Sequence, residues 1–369
     1  MDLRLSVEEI SFRQDVVTFI DESFPLEARD SPSAAEVNRW HQAVVNKGWS
    51  APEWPVLVGG PGWSQTEIFL WYVTTAEFNC PQPDDYALQV VAPLLLEFGN
   101  SDQQRLLAQI LNRTASWGNA VFFDASADIT AEDRGDCYRL NGRVVCISKS
   151  GHDHLLLLAD TGGGHLADTG GGHSLFVIDP MMDGIKFEPE DPANSVQTVI
   201  FDETEIPRGC LLGEVDLASK YLEYVFVEKQ SLSQIVHLES GFNYLKEVVQ
   251  KFGLQTELEN QVAAIEIELS ALKITGLRHK QPIHSHQSRG NKEAQIFIVK
   301  GLNLARRIGD SLIDALGYYA IPADQVLPGS NEPKPVFSAA HWNPNVMDIM
   351  PGCPQGFRQD LIAKTLLGL

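Results

Sequence analysis

No stretch of this 369-residue chain is apolar for long enough to cross a bilayer as a helix, which takes roughly 18 to 20 residues. Its first residues, MDLRLSVEEISFRQD, are acidic and amphipathic and lack the apolar centre of a secretion signal. Basic charge is scarce as well. The chain sets 28 Lys and Arg against 49 Asp and Glu, a formal charge of -21, and no Lys/Arg-rich stripe offsets the deficit. Nucleic-acid binding needs a basic footprint and is not expected. The five cysteines, Cys80, Cys137, Cys146, Cys210 and Cys353, are an odd set with no C-x-x-C pair, which argues for scattered reduced thiols over a disulfide framework or a zinc site. These absences lead us to expect a cytoplasmic protein with neither membrane nor nucleic acid as partner. The length allows a large core and two or three domains.

What is present changes character along the chain. The first part carries repeated Ser-x-x-Glu/Gln phrases, Ser6/Glu9, Ser33/Glu36, Ser64/Glu67 and Ser101/Gln104, each ahead of a run with helical apolar spacing. Val16, Val17, Phe19 and Ile20 form one such run; Leu94, Leu95, Leu106, Leu107, Ile110 and Leu111 form another. Between them KGWSAPEWPVLVGGPGWSQ reads as an ordered, aromatic-packed loop. From about residue 115 come short runs separated by turn residues, WGNAVFF, CYRLNGRVVCIS, HLLLLAD, HSLFVID, GIKFEPE and SVQTVIFDETEIP, which predict an antiparallel β domain ending near Leu211–Gly213. Helical periodicity then returns, clearest in VAAIEIELSALKITGL and AQIFIVKGLNLARRIGDSLIDALG. The expected class is α+β: helices over 1–114, a β domain over 115–213 and a helical bundle over 214–369.

A tandem octapeptide, LADTGGGH at 158–165 and again at 166–173, invites comparison with a phosphate loop, but no Lys-Ser/Thr and helix follow it. His152, His154, His165 and His173 invite a metal. We read the repeat as a duplicated hairpin tip whose histidines are solvated, and His284 and His286 as residues of a polar loop.

The run KYLEYVFVEKQSLSQIVHLES places one acid, Glu228, among apolar neighbours on an expected long helix. Val225, Glu228, Leu232 and Ile235 share a helix face, so Glu228 falls in the stripe that faces the bundle. A carboxylate there is paired, neutral or useful, since burying it unpaired is costly. Desolvation would raise its pKa, as suits a base. A rim glutamate paired with a neighbour such as Lys229 would produce the same pattern.

Five phrases in order, KGWSAPEWPVLVGGPGWS, APLLLEFGNSDQQRLLAQILNRTASWG, YRLNGRVVCISKSGHDHLLLLADT, FDETEIPRGCLLGE and FRQDLIAKTLLGL, resemble the acyl-CoA dehydrogenase family of flavoproteins and cover nearly the whole chain. The resemblance implies an N-terminal helical domain, a middle β domain and a C-terminal four-helix bundle. It also implies FAD-dependent α,β-dehydrogenation of an acyl-CoA thioester, with electron-transfer flavoprotein as acceptor. In the commoner branch the base is a C-terminal Glu, and Gly352 stands at that position here. In the isovaleryl-type branch the base lies on the first long helix of the C-terminal domain within Leu-x-x-Glu-Arg, and VFVEK matches with Glu228 at the Glu and Lys229 at the Arg. Glu228 is thus the expected catalytic base.

The flavin-contact phrases depart from the family. After Trp117, Phe122 and Phe123 stand near a hydroxyl and a Glu position; the Trp-Ile-Thr phrase becomes Cys146-Ile147-Ser148, leaving the Ser148 hydroxyl as the surviving cofactor contact; and Pro354 replaces a Thr. The tail YLKEVVQKFGLQTELENQVAAIEIELSALKITGLRHK lacks the arginine that grips the FAD pyrophosphate. In this it is similar to one chain of the heterotetrameric acyl-CoA dehydrogenases that act on steroid side-chain thioesters, where a second chain supplies that arginine. The expectation is such a subunit, with FAD shared across the interface; the rivals are a catalytically silent scaffold or CoA-thioester-binding subunit without FAD and a flavin oxidase on the same fold.

Overall fold

The computed structural model describes residues 5–26, 29, 32–81, 86–121, 128–147, 152–162, 172–188, 196–225, 233–279 and 292–317. The first helices are α1 (Val7–Ser23), α2 (Ala34–Lys47) and α3 (Gln65–Glu77). Each begins where the serine phrases predict. In all three the Ser oxygen accepts the backbone N–H three residues on, and the Glu carboxylate takes the serine's own N–H at 2.7 Å. Such a cap stabilises a helix by about 1 kcal/mol. After α4 (Ala92–Phe98) the fourth start differs. Asn100, not Ser101, caps α5 (Ser101–Gln104), and Gln103 closes the box in place of Gln104. The Asn100 side chain does what a serine could not. Its oxygen accepts from Asp102 N and Gln103 N, while its amide donates to Gly209 O at 3.0 Å. Gln103 adds bonds to Gly209 O and Leu211 O, so α5 holds a distant bend of the chain. The short α6 (Leu107–Leu111) follows.

Among the described residues eight strands form one sheet: β1 (Trp117–Ala120), β2 (Asp128–Asp133), β3 (Cys137–Ile147), β4 (His154–Asp160), β5 (His173–Ile178), β6 (Ile185–Phe187), β7 (Val196–Pro207) and β8 (Leu211–Leu212). The order is β6-β7-β3-β1-β4-β5-β8, with β2 also between β3 and β4. Most pairings are antiparallel, as the sequence predicts. The exceptions are β1 and β2, which both run parallel to β4. That placement explains HLLLLAD: β4 is central and buried on both faces, Leu156 and Leu158 toward the helices, Leu155, Leu157 and Ala159 toward the opposite core. The sequence reading missed β2, whose DITAED is half acidic; of its described side chains Ile129 and Ala131 point inward.

The tandem repeat spans the β4–β5 hairpin. Leu158–Asp160 of the first copy end β4 and His173 of the second opens β5, paired with Asp160. Thr161 Oγ1 closes the root, 2.7 Å from Gly172 O and 3.0 Å from Ser174 Oγ. Residues 163–171, including His165, lie outside the described part.

The remaining helices among the described residues are α7 (Ala218–Glu223), α8 (Ser233–Phe252), α9 (Gln255–His279) and α10 (Lys292–Leu316). Their core is continuous with that of α1–α3: Ile235, Leu245, Leu304 and Ile308 share a cluster with Phe19, Ile20, Trp40 and Trp71. A second core joins α4, α6 and α7 to one face of the sheet, and a third fills the other face.

Candidate active site

Four of the five family-like phrases fall within the described residues, at least in part, and the fold brings them into contact. Ser50 Oγ in the tryptophan-rich loop donates to Leu111 O at 2.8 Å, joining the first phrase to the second. Gln103 joins the second to the fourth. Strand β3 of the third phrase pairs along its length with β7 of the fourth.

At the centre of this framework β1 leaves the sheet early. Asn119 Oδ1 accepts the Val121 N–H at 3.0 Å, a donor that would otherwise continue the ladder. The chain resumes pairing at Asp128. On β4 the stretch from Ala120 to Thr130 is matched only by Leu157 to Asp160, so β1 and β2 are two halves of one interrupted strand. Phe122 and Phe123 belong to that segment and lie outside the described residues. The second exit is next door: Ile147, the last paired residue of β3, stands opposite Asn119. Ser148 follows it, also outside the described residues. Asn119, buried at 4% exposure, therefore borders both exits. The sequence reading missed it, although an Asn inside a strand, where its β-propensity is poor, was the available signal.

Beneath these exits lies a tightly packed layer. Cys146 Sγ is 3.7 Å from His152 Nε2, and both side chains are buried. Burial pushes the Cys146 thiol up to about 12, so it stays protonated and is no nucleophile. Gly118 faces them with no room for a side chain: a Cβ there would sit 2.4 Å from Leu155 Cδ2, 2.8 Å from Cys146 Sγ and 3.0 Å from His152 Cδ2. Ser116 ties down the start of β1 by donating its N–H and hydroxyl to Asp153, at 2.8 and 2.9 Å, which lowers that carboxyl's pKa. His154 packs over Trp117 with ring centroids 4.8 Å apart and hydrogen-bonds Gln109 at 3.1 Å. Burial lowers its pKa. His152, just ahead of β4, and His154, its first residue, are thus packed, and the expectation of solvated hairpin histidines is corrected for these two. Among the described residues no group of three metal-ligating side chains converges.

The approach to α8 is anchored from the other side. Gly213, with φ of 69°, passes under the Tyr221 ring, and Tyr221 OH accepts the Glu214 N–H at 2.9 Å. Phe98 stacks on Tyr221 at 4.0 Å and meets Tyr224 edge-on at 5.3 Å. Val225 is buried in the sheet-facing core, whereas Ile235 is buried in the bundle core. The intervening chain connects the two cores. Glu228 belongs to it and lies outside the described residues, as do Lys229, Gly352 and Pro354. On α8 itself, burial pushes His237 down to about 4, leaving it neutral at pH 7. Two residues along, Glu239 pairs with Lys273 of α9.

No family model and no curated protein matches this sequence. Solved structures do. The steroid ACAD Tcur3481-Tcur3483 superposes with a TM-score of 0.75 at 16% identity over 100% of this chain and 99% of that one. The ChsE4-ChsE5 complex from Mycobacterium tuberculosis gives 0.71 at 17% identity, again over 100% and 99%. A glutaryl-coenzyme A dehydrogenase in complex with glutaryl-CoA gives 0.68 at 16% identity, over 100% and 97%. The chain has the acyl-CoA dehydrogenase fold. Its described helices and central sheet follow that architecture, as the five phrases led us to expect. Among the described residues no helix is long and apolar enough to cross a membrane.

Proposed function

We propose that this chain is a subunit of an FAD-dependent acyl-CoA dehydrogenase of the two-chain type, acting on a bulky acyl-CoA thioester such as a steroid side chain, with Glu228 as catalytic base. The observation that carries the reading is the position of Glu228 in the chain: it sits on the short connection between buried Val225 and buried Ile235, two anchors in different cores, while Gly352 stands where the alternative base would be. Likeness in fold to two heteromeric assemblies supports the two-chain part.

In this reading the Glu228 carboxylate removes the α proton of the thioester and holds it. FAD, when bound, supplies the acceptor for the hydride that leaves the β carbon. Hydrogen bonds to the thioester carbonyl stabilise the charge that develops at the α carbon. In this reading the cofactor lies by the two neighbouring strand ends bordered by Asn119, where this chain's own donor set is thin. Ser148 offers a hydroxyl, and the missing arginine is assigned to the second chain, as is transfer onward to an electron-transfer flavoprotein. The test is co-expression with an arginine-bearing acyl-CoA dehydrogenase-like partner. Flavin absorbance is expected only in the complex, and Glu228→Gln is expected to lower its turnover by roughly 10²- to 10⁴-fold while flavin stays bound. Full turnover in that variant would sink the assignment.

One observation favours a second reading, a silent scaffold subunit. Cys146, in place of the family's tryptophan, is turned into the packed layer against His152. Absence of flavin from both the chain and the complex would select it.

A further inference from the structure

The tandem octapeptide is a motif that the proposed activity leaves unused, and its first copy supplies Thr161 to a polar ring. Thr161 Oγ1 lies 2.5 Å from Asp216 Oδ1 and 3.0 Å from Ser174 Oγ, and Ser174 Oγ accepts the Asp216 N–H at 2.9 Å. One placement of protons serves all three contacts. Ser174 takes the amide proton of Asp216 and gives its own to Thr161, and Thr161 gives its own to the Asp216 carboxylate, the short contact expected of a charge-assisted bond. Gly172 O, 2.7 Å from the same hydroxyl, already takes the Thr161 N–H. Ser174 is fully buried. The ring thus closes through a dry side chain and ties the root of the β4–β5 hairpin to a bend 55 residues further along the chain.

That bend begins the approach to Glu228. Asp216 has a φ of 64°, a left-handed conformation unfavourable for a residue with a side chain unless its surroundings hold it. The ring supplies the hold, on the backbone N–H and on the carboxylate at once. Immediately after it α7 starts on Leu217, which brings no side-chain cap, while Tyr221 OH takes the Glu214 N–H. The ring at one end and Tyr221 at the other therefore fix the direction of the chain up to buried Val225, three residues before Glu228. We propose that Thr161 and Ser174 are positioning residues for proton abstraction: through Asp216 they set where the chain enters the segment bearing the base. The proposal rests on the reading of Glu228 as that base.

The test compares Thr161→Val, which keeps the shape and deletes the donor, with Thr161→Ser, which keeps the hydroxyl. In the full-length chain, Thr161→Val is expected to speed amide exchange over residues 216–222 by about tenfold, while Leu245 and Val248 in the bundle keep their protection. In the reconstituted complex, with the coenzyme A thioester of a steroid acid as probe, kcat is expected to fall by roughly 10- to 100-fold at unchanged KM. Thr161→Ser is expected to restore both, and Thr161→Val added to Glu228→Gln to lower kcat no further. Exchange unchanged by Thr161→Val overturns the proposal whatever Glu228 does. Faster exchange with kcat untouched, in a complex that Glu228→Gln disables, also overturns it and leaves the base in place. A loss that adds in full to that of Glu228→Gln overturns it too, since the ring then acts elsewhere. Full turnover in Glu228→Gln removes the base and the proposal together, and the exchange data then show separately whether the ring holds the bend.

Discussion

In the sheet, buried polar side chains are fixed by packing and hydrogen bonds: Asn119 to Val121 N, Ser174 to the hairpin root and to Asp216 N at 2.9 Å, and His152 against Cys146 Sγ at 3.7 Å. In the bundle, some interior polar groups titrate or carry charge: His237 held neutral by burial, and the Glu239–Lys273 pair bridging α8 and α9 with side chains 13% and 23% exposed. The two regions therefore answer to different variables. The sheet is governed by packing volume and fixes where the chain leaves it. The bundle is governed by protonation as well as packing, and the segment bearing Glu228 runs between them.

The sharpest way to break this contrast is to add volume to the sheet. Gly118→Val puts methyl groups where Leu155, Cys146 and His152 already lie, and overpacking of this kind costs about 3 kcal/mol or more. We expect a melting temperature lowered by several degrees or an insoluble protein, at every pH; a variant as stable as wild type would show that the layer under the exits gives way. The matching perturbation of the bundle is acid. His237 has a folded pKa of about 4, below its unfolded value near 6.5, so the unfolded chain binds the extra proton first and stability is lost as pH falls from 6.5 toward 4. The loss is on the order of 2 to 3 kcal/mol, moderated by the part of the ring that keeps solvent contact. His237→Phe is expected to flatten that limb in denaturant titrations between pH 4 and 7, and an unchanged slope would assign the acid sensitivity to another group.

A smaller effect concerns the exits themselves. Asn119→Ala removes the acceptor for Val121 N–H in a dry layer and is expected to cost about 1 to 3 kcal/mol, with faster amide exchange at Val121. Asn119→Asp, which keeps an acceptor, is expected to recover the protection at Val121. If both variants exchange alike, the strand interruption is held by something other than this bond.

The sequence made the helices and most strands legible because their signals are local: three serine caps and short apolar runs separated by turn residues. It left β2 illegible, since three acids in six residues mask a strand with two inward side chains. The parallel pairing of β1 and β2 with β4 was equally hidden, because it depends on a neighbour distant in the chain. The same logic divides the candidate site. Phrases around Trp117, Cys146 and Glu228 are readable in order, but that Asn119 borders two exits, or that Cys146 lies against His152, is a property of register and layer. His152 and His154 were misread for that reason: glycine nearby in sequence suggested a loop, while the fold packs both against β1.

The fourth helix cap shows how far a local signal reaches. Ser101 and Gln104 satisfy the sequence rule as well as Asn100 and Gln103 do, and the choice between the two frames is made by a tertiary demand. Only Asn100 offers an amide donor that reaches Gly209 O while its oxygen caps Asp102 N and Gln103 N. Asn100→Ala is therefore expected to cost about 1 to 2 kcal/mol, whereas Ser101→Ala, at an exposed first-turn position, is expected to cost nothing measurable. Asn100→Ser separates the two jobs of that side chain. It keeps the cap and loses the donor, so a stability midway between wild type and Asn100→Ala would mean that the bond to Gly209 contributes on its own. A value equal to wild type would mean that the helix start alone fixes the frame and that Gln103 suffices to hold the bend between β7 and β8.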